Sequence, residues 1–301
     1  MTGTEVAALH ELRGSTGATA VVSEHAASLR RLTVDGVELV RGTLDEQPPL
    51  GAGMVLVPWP NRVEEGRWPL DGRMQQLELT EPELGNANHG LLTGTRYAPV
   101  AASPDGVTLA AAVDAGDGYP FELDTSVEYR LVGSGIRVTH RITNRSDRPA
   151  PVAIGAHPYL RLGDSPVGEL VLTIEADRAL DLDERHIPRG SFDVTGTPFD
   201  LRRGRAVADA VPHACYTAVR TRDGLVVHRL RSSDSREVQL WADEVFAYAQ
   251  VYVTPEFPGA EGGAIAVEPM TAPPNALRSG EGLRWLEPAE TWTASWGIRL
   301  V

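Results

Sequence analysis

Short apolar runs broken by turn residues fill the chain, and several alternate with the period of two that marks a half-buried strand. Leu32-Thr-Val34 and Val37-Glu-Leu-Val40 flank Asp35-Gly36, a pair that supplies the positive φ a two-residue hairpin turn demands. Asp71-Gly72, Asp105-Gly106 and Asp223-Gly224 repeat the signal between strand-like flanks. Ser126–Leu131 and Ile136–Ile142 read as another hairpin, turning at Gly133-Ser134-Gly135. Helical periodicity is nearly absent, and the Ala-rich stretch at 108–113 is short and bounded by turn residues. Turn signals recur roughly every 8–12 residues, which predicts an all-β sandwich or barrel. No linker and no fixed repeat divides the chain, so residues 1–301 are expected to form a single domain, a large β-sandwich.

The 301 residues, 42% hydrophobic and 23% charged, suffice for a sizeable core. A formal net charge of −13 argues against nucleic acid and anionic membranes as partners, because both need a basic face. It suits a neutral or cationic small molecule. All 28 basic residues are Arg, which excludes lysine Schiff bases, lysine general bases and P-loop phosphate binding. The lone Cys215 rules out an internal disulfide framework and reads as core filling between Ala214 and Tyr216. The first residues, Met1 to Glu11, carry neither a basic nor an apolar signal segment, and no apolar run reaches membrane-spanning length. A soluble, cytoplasmic protein is expected; the sequence leaves its oligomeric state open.

Four segments carry candidate chemistry. In Ala266-Val-Glu-Pro-Met-Thr-Ala-Pro-Pro-Asn-Ala-Leu277, Glu268 reads as a carboxylate held in a proline-bracketed turn, as a general base must be. Pro58-Trp-Pro-Asn-Arg62 delivers Trp59, Asn61 and Arg62 into a constrained loop. Arg62 offers a fork of donors and Trp59 a face on which a sugar ring can stack. Each alone also reads as ordinary structure, the Trp as core and the Arg as an ion-pair partner. His89 precedes Gly90, which permits close backbone approach to a ligand. His157 follows the apolar run Val152–Ile154, with Pro158 fixing its exit. The other histidines, His186 and His213 among them, stand in unremarkable contexts. No His-x-x-x-His or His-x-His pair suggests a metal, no Gly-x-Gly-x-x-Gly a dinucleotide, and no carboxylate pair a glycosidase.

Taken in order, Pro58-Trp-Pro-Asn-Arg62, Asn88-His-Gly90, His157-Pro-Tyr159, Gln250-Val-Tyr252 and Val267-Glu-Pro-Met-Thr271 with Pro274-Asn-Ala276 resemble the aldose 1-epimerase (galactose mutarotase) family, in a bacterial branch. The resemblance implies a β-supersandwich and interconversion of the α and β anomers of a free aldose, without metal or cofactor. Matched to the family's motifs, Glu268 would be the general base and His157 the general acid. Arg62 and His89 would contact the ring oxygen and hydroxyls, and Gln250 would bind a hydroxyl. The family's sugar-binding Asp is replaced by Pro212, with Asp209 three residues earlier, which loosens the link to galactose or glucose. A non-catalytic sugar-binding or regulatory protein on the same fold, a mutarotase for an acidic or sulfonated sugar, and a glycosidase or lyase are the competing expectations.

Overall fold

The computed structural model describes residues 7–45, 47–116 and 118–301. Residues 1–6, which open the segment read as lacking a secretory signal, lie outside the described residues. Two large antiparallel sheets, of 12 and 10 strands, pack on each other as a β-sandwich. The first sheet runs from the N-terminal meander through Val37–Arg41 to Tyr159–Leu160, then Ala264–Met270, Tyr248–Thr254, His213–Val219, Ala176–Leu182 and Pro188–Asp193. The second is centred on Leu123–Val132, Gly135–Asn144, Thr291–Leu300 and Glu237–Asp243. Among the described residues the one α-helix is the single turn Ala276–Ser279. Among the described residues no helix is long and apolar enough to cross a membrane.

The hairpin turns form where Asp-Gly predicts them. Asp35-Gly36, Asp71-Gly72 and Asp223-Gly224 all have positive φ at both residues, between 49° and 77°. Asp105-Gly106 departs from the pattern. Its hairpin joins Ala98–Ser103 to Gly106–Val113, so the loop is Pro104-Asp105 and Gly106 already belongs to the strand. Pro104 locks φ near −65° and so cannot occupy the first position of that turn.

Strand parity decides which face carries chemistry. Along Ala264–Met270, Ile265 and Val267 join the main core between the sheets, whereas Ala264 and Ala266 pack with Tyr159 and Phe257. Glu268 shares that second face. Register places Cys215, Gln250 and Glu268 in one row across three strands, and His213, Tyr252, Ala266 and Tyr159 in the next. Glu268 therefore lies inside a central strand, in contrast to the expected turn. The proline-rich turn begins only after Met270.

Candidate active site

One cavity of about 400 Å³ opens on this face, lined by Leu50, Gly51, Asn61, Arg62, Glu81, Asn88, His89, His157, His186, His213, Tyr252 and Glu268. A larger groove of about 600 Å³ crosses the other sheet beside Trp241 and Arg137, but among the described residues it gathers no histidine and no buried carboxylate. The candidate acid–base and binding residues gather at the smaller cavity.

His157 joins the strand pieces Gly155–Ala156 and Tyr159–Leu160, and its backbone is held on both sides. Its N–H donates to the Met54 carbonyl at 3.0 Å, and its carbonyl accepts from Gly53 N–H at 2.8 Å. The ring stacks on Tyr159 with centroids 5.1 Å apart and meets His89 edge-on at 5.5 Å. These contacts bring His157 Nε2 to 3.4 Å from Glu268 Oε1, although the two residues stand far apart in the chain. Both are buried, at 5% and 2% exposure. Glu268 Oε2 and His157 Nδ1 have no hydrogen-bond partner among the described residues. A buried polar atom without a partner costs about 1–3 kcal/mol, and where it belongs to a residue lining a cavity it is open to a ligand's donors and acceptors.

Burial dominates the titration of this pair. It pushes the Glu268 carboxyl up to about 8, with the Arg62 charge opposing, and the His157 imidazole down to about 4. In this buried setting the pair's single proton is therefore favoured on the carboxyl, with both groups neutral. This inverts the order of free carboxylate and imidazole side chains.

The loop before Arg62 is built by local hydrogen bonds. Asn61 takes a left-handed φ of 59°, and its Oδ1 accepts from the Arg62 N–H at 2.9 Å. The Asn61 N–H donates to His89 Nδ1 at 3.2 Å, so the neutral His89 ring carries its hydrogen on Nε2. Burial holds His89 well below the usual imidazole range, which keeps it neutral. The Arg62 guanidinium is committed on one edge: Nε and Nη2 donate to the two oxygens of Glu81, each at 2.7 Å. A bidentate pair of this kind fixes the guanidinium and balances its charge.

Two expected contact residues lie elsewhere. Trp59 is 1% exposed and packs in the main core at 6.0 Å from the Tyr119 ring, so its face is not open to a sugar. Gln250 shares a row with Glu268 but is covered: its Oε1 accepts from Asn61 Nδ2 at 3.3 Å and its Nε2 donates to the Val251 carbonyl. Gly90 serves a different approach from the expected one. A Cβ there would stand 2.1 Å from the Val57 carbonyl oxygen, so its neighbour is the chain's own backbone. Asp209, exposed in a short turn at Val207–Asp209, does not line the cavity and does not replace the missing Asp.

The cavity also holds residues that sequence reading passed over. His186 and His213 line it with their Nδ1 atoms 2.6 Å apart. His213 opens a strand and His186 sits at φ 61° in a turn organised by the Asp183 carboxylate, which accepts from the Arg185 and Ile187 N–H groups. Nothing in either local sequence announces that they meet. Among the described residues no group of three or more His, Cys, Asp or Glu is arranged to hold a metal ion.

A two-sheet β fold with a buried carboxyl–imidazole pair in a polar cavity is an arrangement suited to acid–base chemistry on a small polar molecule. The chain belongs to the aldose 1-epimerase family, whose model matches residues 8–299. It is 31% identical over 264 residues to the uncharacterized protein YihR of Escherichia coli (strain K12), covering 87% of this chain and 83% of that one. It is 34% identical over 176 residues to galactose mutarotase of Bos taurus, covering 56% of this chain and 49% of the bovine protein, so it spans about half of that relative. Among solved structures, an aldose epimerase homologue from C. elegans superposes with a TM-score of 0.86 at 20% identity, covering 98% of this chain and 99% of that one. Galactose 1-epimerase from Lactobacillus acidophilus NCFM gives 0.82 at 19%, covering 100% of this chain and 96% of that one. These likenesses establish the galactose mutarotase-like sandwich, and the family supports a mutarotase-type isomerase as the class of activity.

Proposed function

We propose that the protein is an aldose 1-epimerase that interconverts the α and β anomers of a neutral free aldose, with Glu268 and His157 as its acid–base pair. The observation that carries this reading is the 3.4 Å approach of two buried proton carriers in a cavity of sugar size. Glu268 takes the proton of the anomeric hydroxyl while His157 gives one to the ring oxygen, and the bond between C1 and the ring oxygen breaks to leave the open aldehyde. Rotation about C1–C2 presents the other face, and closure reverses both transfers. Opening turns an ionised pair into a neutral one, the form that burial favours, so the site stabilises the open intermediate. Arg62 and the hydroxyls of the entering sugar favour the ionised carboxylate needed at the start. The pair holds one proton throughout, and the step needs no cofactor.

Each rival lacks a part. A pure binding protein has no use for a buried acid and base together. A glycosidase needs a second free carboxyl, and Glu81, the other carboxylate lining the cavity among the described residues, is committed to Arg62. An acidic or sulfonated sugar needs an unspent cation. Arg62, the one arginine lining the cavity among the described residues, already has its Nε and Nη2 donors engaged by Glu81. Anomer-exchange NMR on a panel of neutral hexoses and pentoses and on acidic sugars tests the proposal. Acceleration of at least one neutral aldose is expected. Acceleration confined to acidic sugars would overturn the neutral-substrate assignment, and none at all would overturn the activity.

A further inference from the structure

We propose that His186 and His213 form the specificity-determining edge of the cavity, a hydrogen-bonded imidazole pair that offers one donor and one acceptor to a vicinal diol of the bound sugar. The proposal deepens the mutarotase reading and rests on it for the nature of the ligand. Its starting point is the 2.6 Å separation of the two Nδ1 atoms. Two neutral imidazoles can approach so closely through these atoms only if one Nδ1 carries the hydrogen and the other presents its lone pair. The ring with hydrogen on Nδ1 has a lone pair on Nε2; the ring with a lone pair on Nδ1 has hydrogen on Nε2. Whichever way the shared hydrogen lies, the two Nε2 atoms are one acceptor and one donor.

The surroundings keep this arrangement available. Burial pushes His213 down to about 3, helped by the neighbouring His186 and Arg62, and lowers His186 as well, so both rings are neutral. Both line the cavity, and among the described residues the hydrogen bond the two rings make is the one to each other, which leaves both Nε2 atoms without a protein partner. Tyr252, edge-on to His213 at 5.8 Å, braces the ring from the next strand.

The pair's place on the sheet assigns it to the far side of the sugar. His213 lies two strands from Ala266, and Ala266 is two residues along the strand from Glu268. With strands about 4.8 Å apart and a rise of about 3.4 Å per residue, that is roughly 12 Å between backbones, room for one pyranose ring between the side chains. With the anomeric centre at Glu268, the hydroxyls that reach the histidines are on ring carbons remote from C1. Two adjacent hydroxyls, one donating and one accepting, complement the pair. A carboxylate here would accept only, so this edge reads a different hydroxyl pattern from one built on Asp.

The experiment combines His213 variants with deoxy sugars. His213→Asn keeps a polar atom at the Nδ1 position, facing His186, and removes the Nε2 group; His213→Gln puts an amide back at the Nε2 position. For the best aldose, His213→Asn is expected to raise KM about tenfold with kcat nearly unchanged, the effect of one lost hydrogen bond. His213→Gln is expected to restore most of the loss, which a merely structural role would not predict. Wild type is expected to handle a mono-deoxy aldose lacking one remote hydroxyl poorly, and His213→Asn to lose that discrimination. An unchanged KM in His213→Asn, or a deoxy penalty equal in variant and wild type, overturns the proposal. If wild type accelerates no aldose, the activity reading falls, and calorimetric binding of the same sugars decides on the histidines. Equal affinities for wild type and His213→Asn, or no binding by wild type, overturn the pair.

Discussion

Glu268 and His157 lie close enough to titrate as a unit, so under the proposed mechanism the pH dependence of anomer exchange reports the pair. Below about pH 4 both groups are protonated and the pair has no base; above about pH 8 the carboxyl has lost its proton and the pair has no acid. Anomer exchange should rise through the first value and fall through the second. A profile flat across both would remove the pair from the reaction. Glu268→Gln should cost about 10²–10⁴ in kcat, the usual worth of a positioned proton carrier, while sugar binding stays largely intact. Near-parent turnover would refute the assignment. His157→Asn should likewise lower kcat, and a change confined to KM would demote His157 to a binding residue. The sequence made these two residues visible, with Arg62, His89 and Asn61, because each sits in a short stretch constrained by Pro, Gly or Asn. The inverted order of their pKa values was not visible, since desolvation arises only once the sheet and the covering loops close over them. His186 and His213 were hidden for a related reason: their meeting depends on the register of one strand and a left-handed turn elsewhere. Trp59 was misplaced because a residue between two prolines offers no alternation from which to read its direction. Gln250 has the right parity but is roofed by Asn61.

The loops that close the cavity hang on backbone positions no larger residue can fill. Gly53 has φ 76°, its N–H donates to the His157 carbonyl and its carbonyl accepts from Leu29 N–H at 3.0 Å. A Cβ there would stand 2.0 Å from the Leu29 carbonyl oxygen. Gly36 has nearly the same φ, 77°, but a Cβ would meet nothing within 4 Å. Comparing the two separates backbone strain from collision. Gly36→Ala should cost about 1–2 kcal/mol, the penalty for a left-handed non-glycine residue. Gly53→Ala should cost about 3 kcal/mol or more, and should also lower kcat by displacing His157. Thermal unfolding beside anomer-exchange rates checks both. Equal losses of stability would mean that the contact between Gly53 and Leu29 is easily relaxed. Hairpins were the most legible elements in the sequence, because Asp-Gly specifies a local conformation that needs no partner. Their order within the sheets was not legible. The neighbours of Ala264–Met270 are Tyr248–Thr254 and, on its other edge, the distant Gly155–Ala156 and Tyr159–Leu160, and only the packed sandwich brings these alongside.

Across the molecule, neutral histidines are stored in the interior, and this ties folding to pH. Burial lowers His140 and His213 to about 3 and His157 and His228 to about 4. In an unfolded chain each titrates near 6.5, so below that value the unfolded state binds protons that the folded state refuses. Stability contributed by these groups is complete above about pH 6.5 and is lost as pH falls toward their folded values, with a slope of about 1.4 kcal/mol per pH unit for each full proton. Glu268 acts with the opposite sign: its folded value is raised, so the folded state keeps a proton the unfolded state has shed between about 4.5 and 8, and stability from this group declines as pH rises through that window. Between about pH 4.5 and 6 the four imidazoles outweigh the one carboxyl, and the protein should lose stability steeply on mild acidification. His140 isolates the effect, because it lies in strand Gly135–Asn144 of the second sheet, away from the cavity. Its Nε2 accepts from Trp296 Nε1 at 2.8 Å and its Nδ1 has no partner among the described residues. His140→Gln retains an acceptor for the indole but cannot bind the proton. Denaturant unfolding at a series of pH values should therefore show the variant's acid slope reduced by about one proton, with anomer exchange at pH 7 intact. A slope equal to that of the parent would mean that His140 is not the neutral, proton-refusing group its burial makes it.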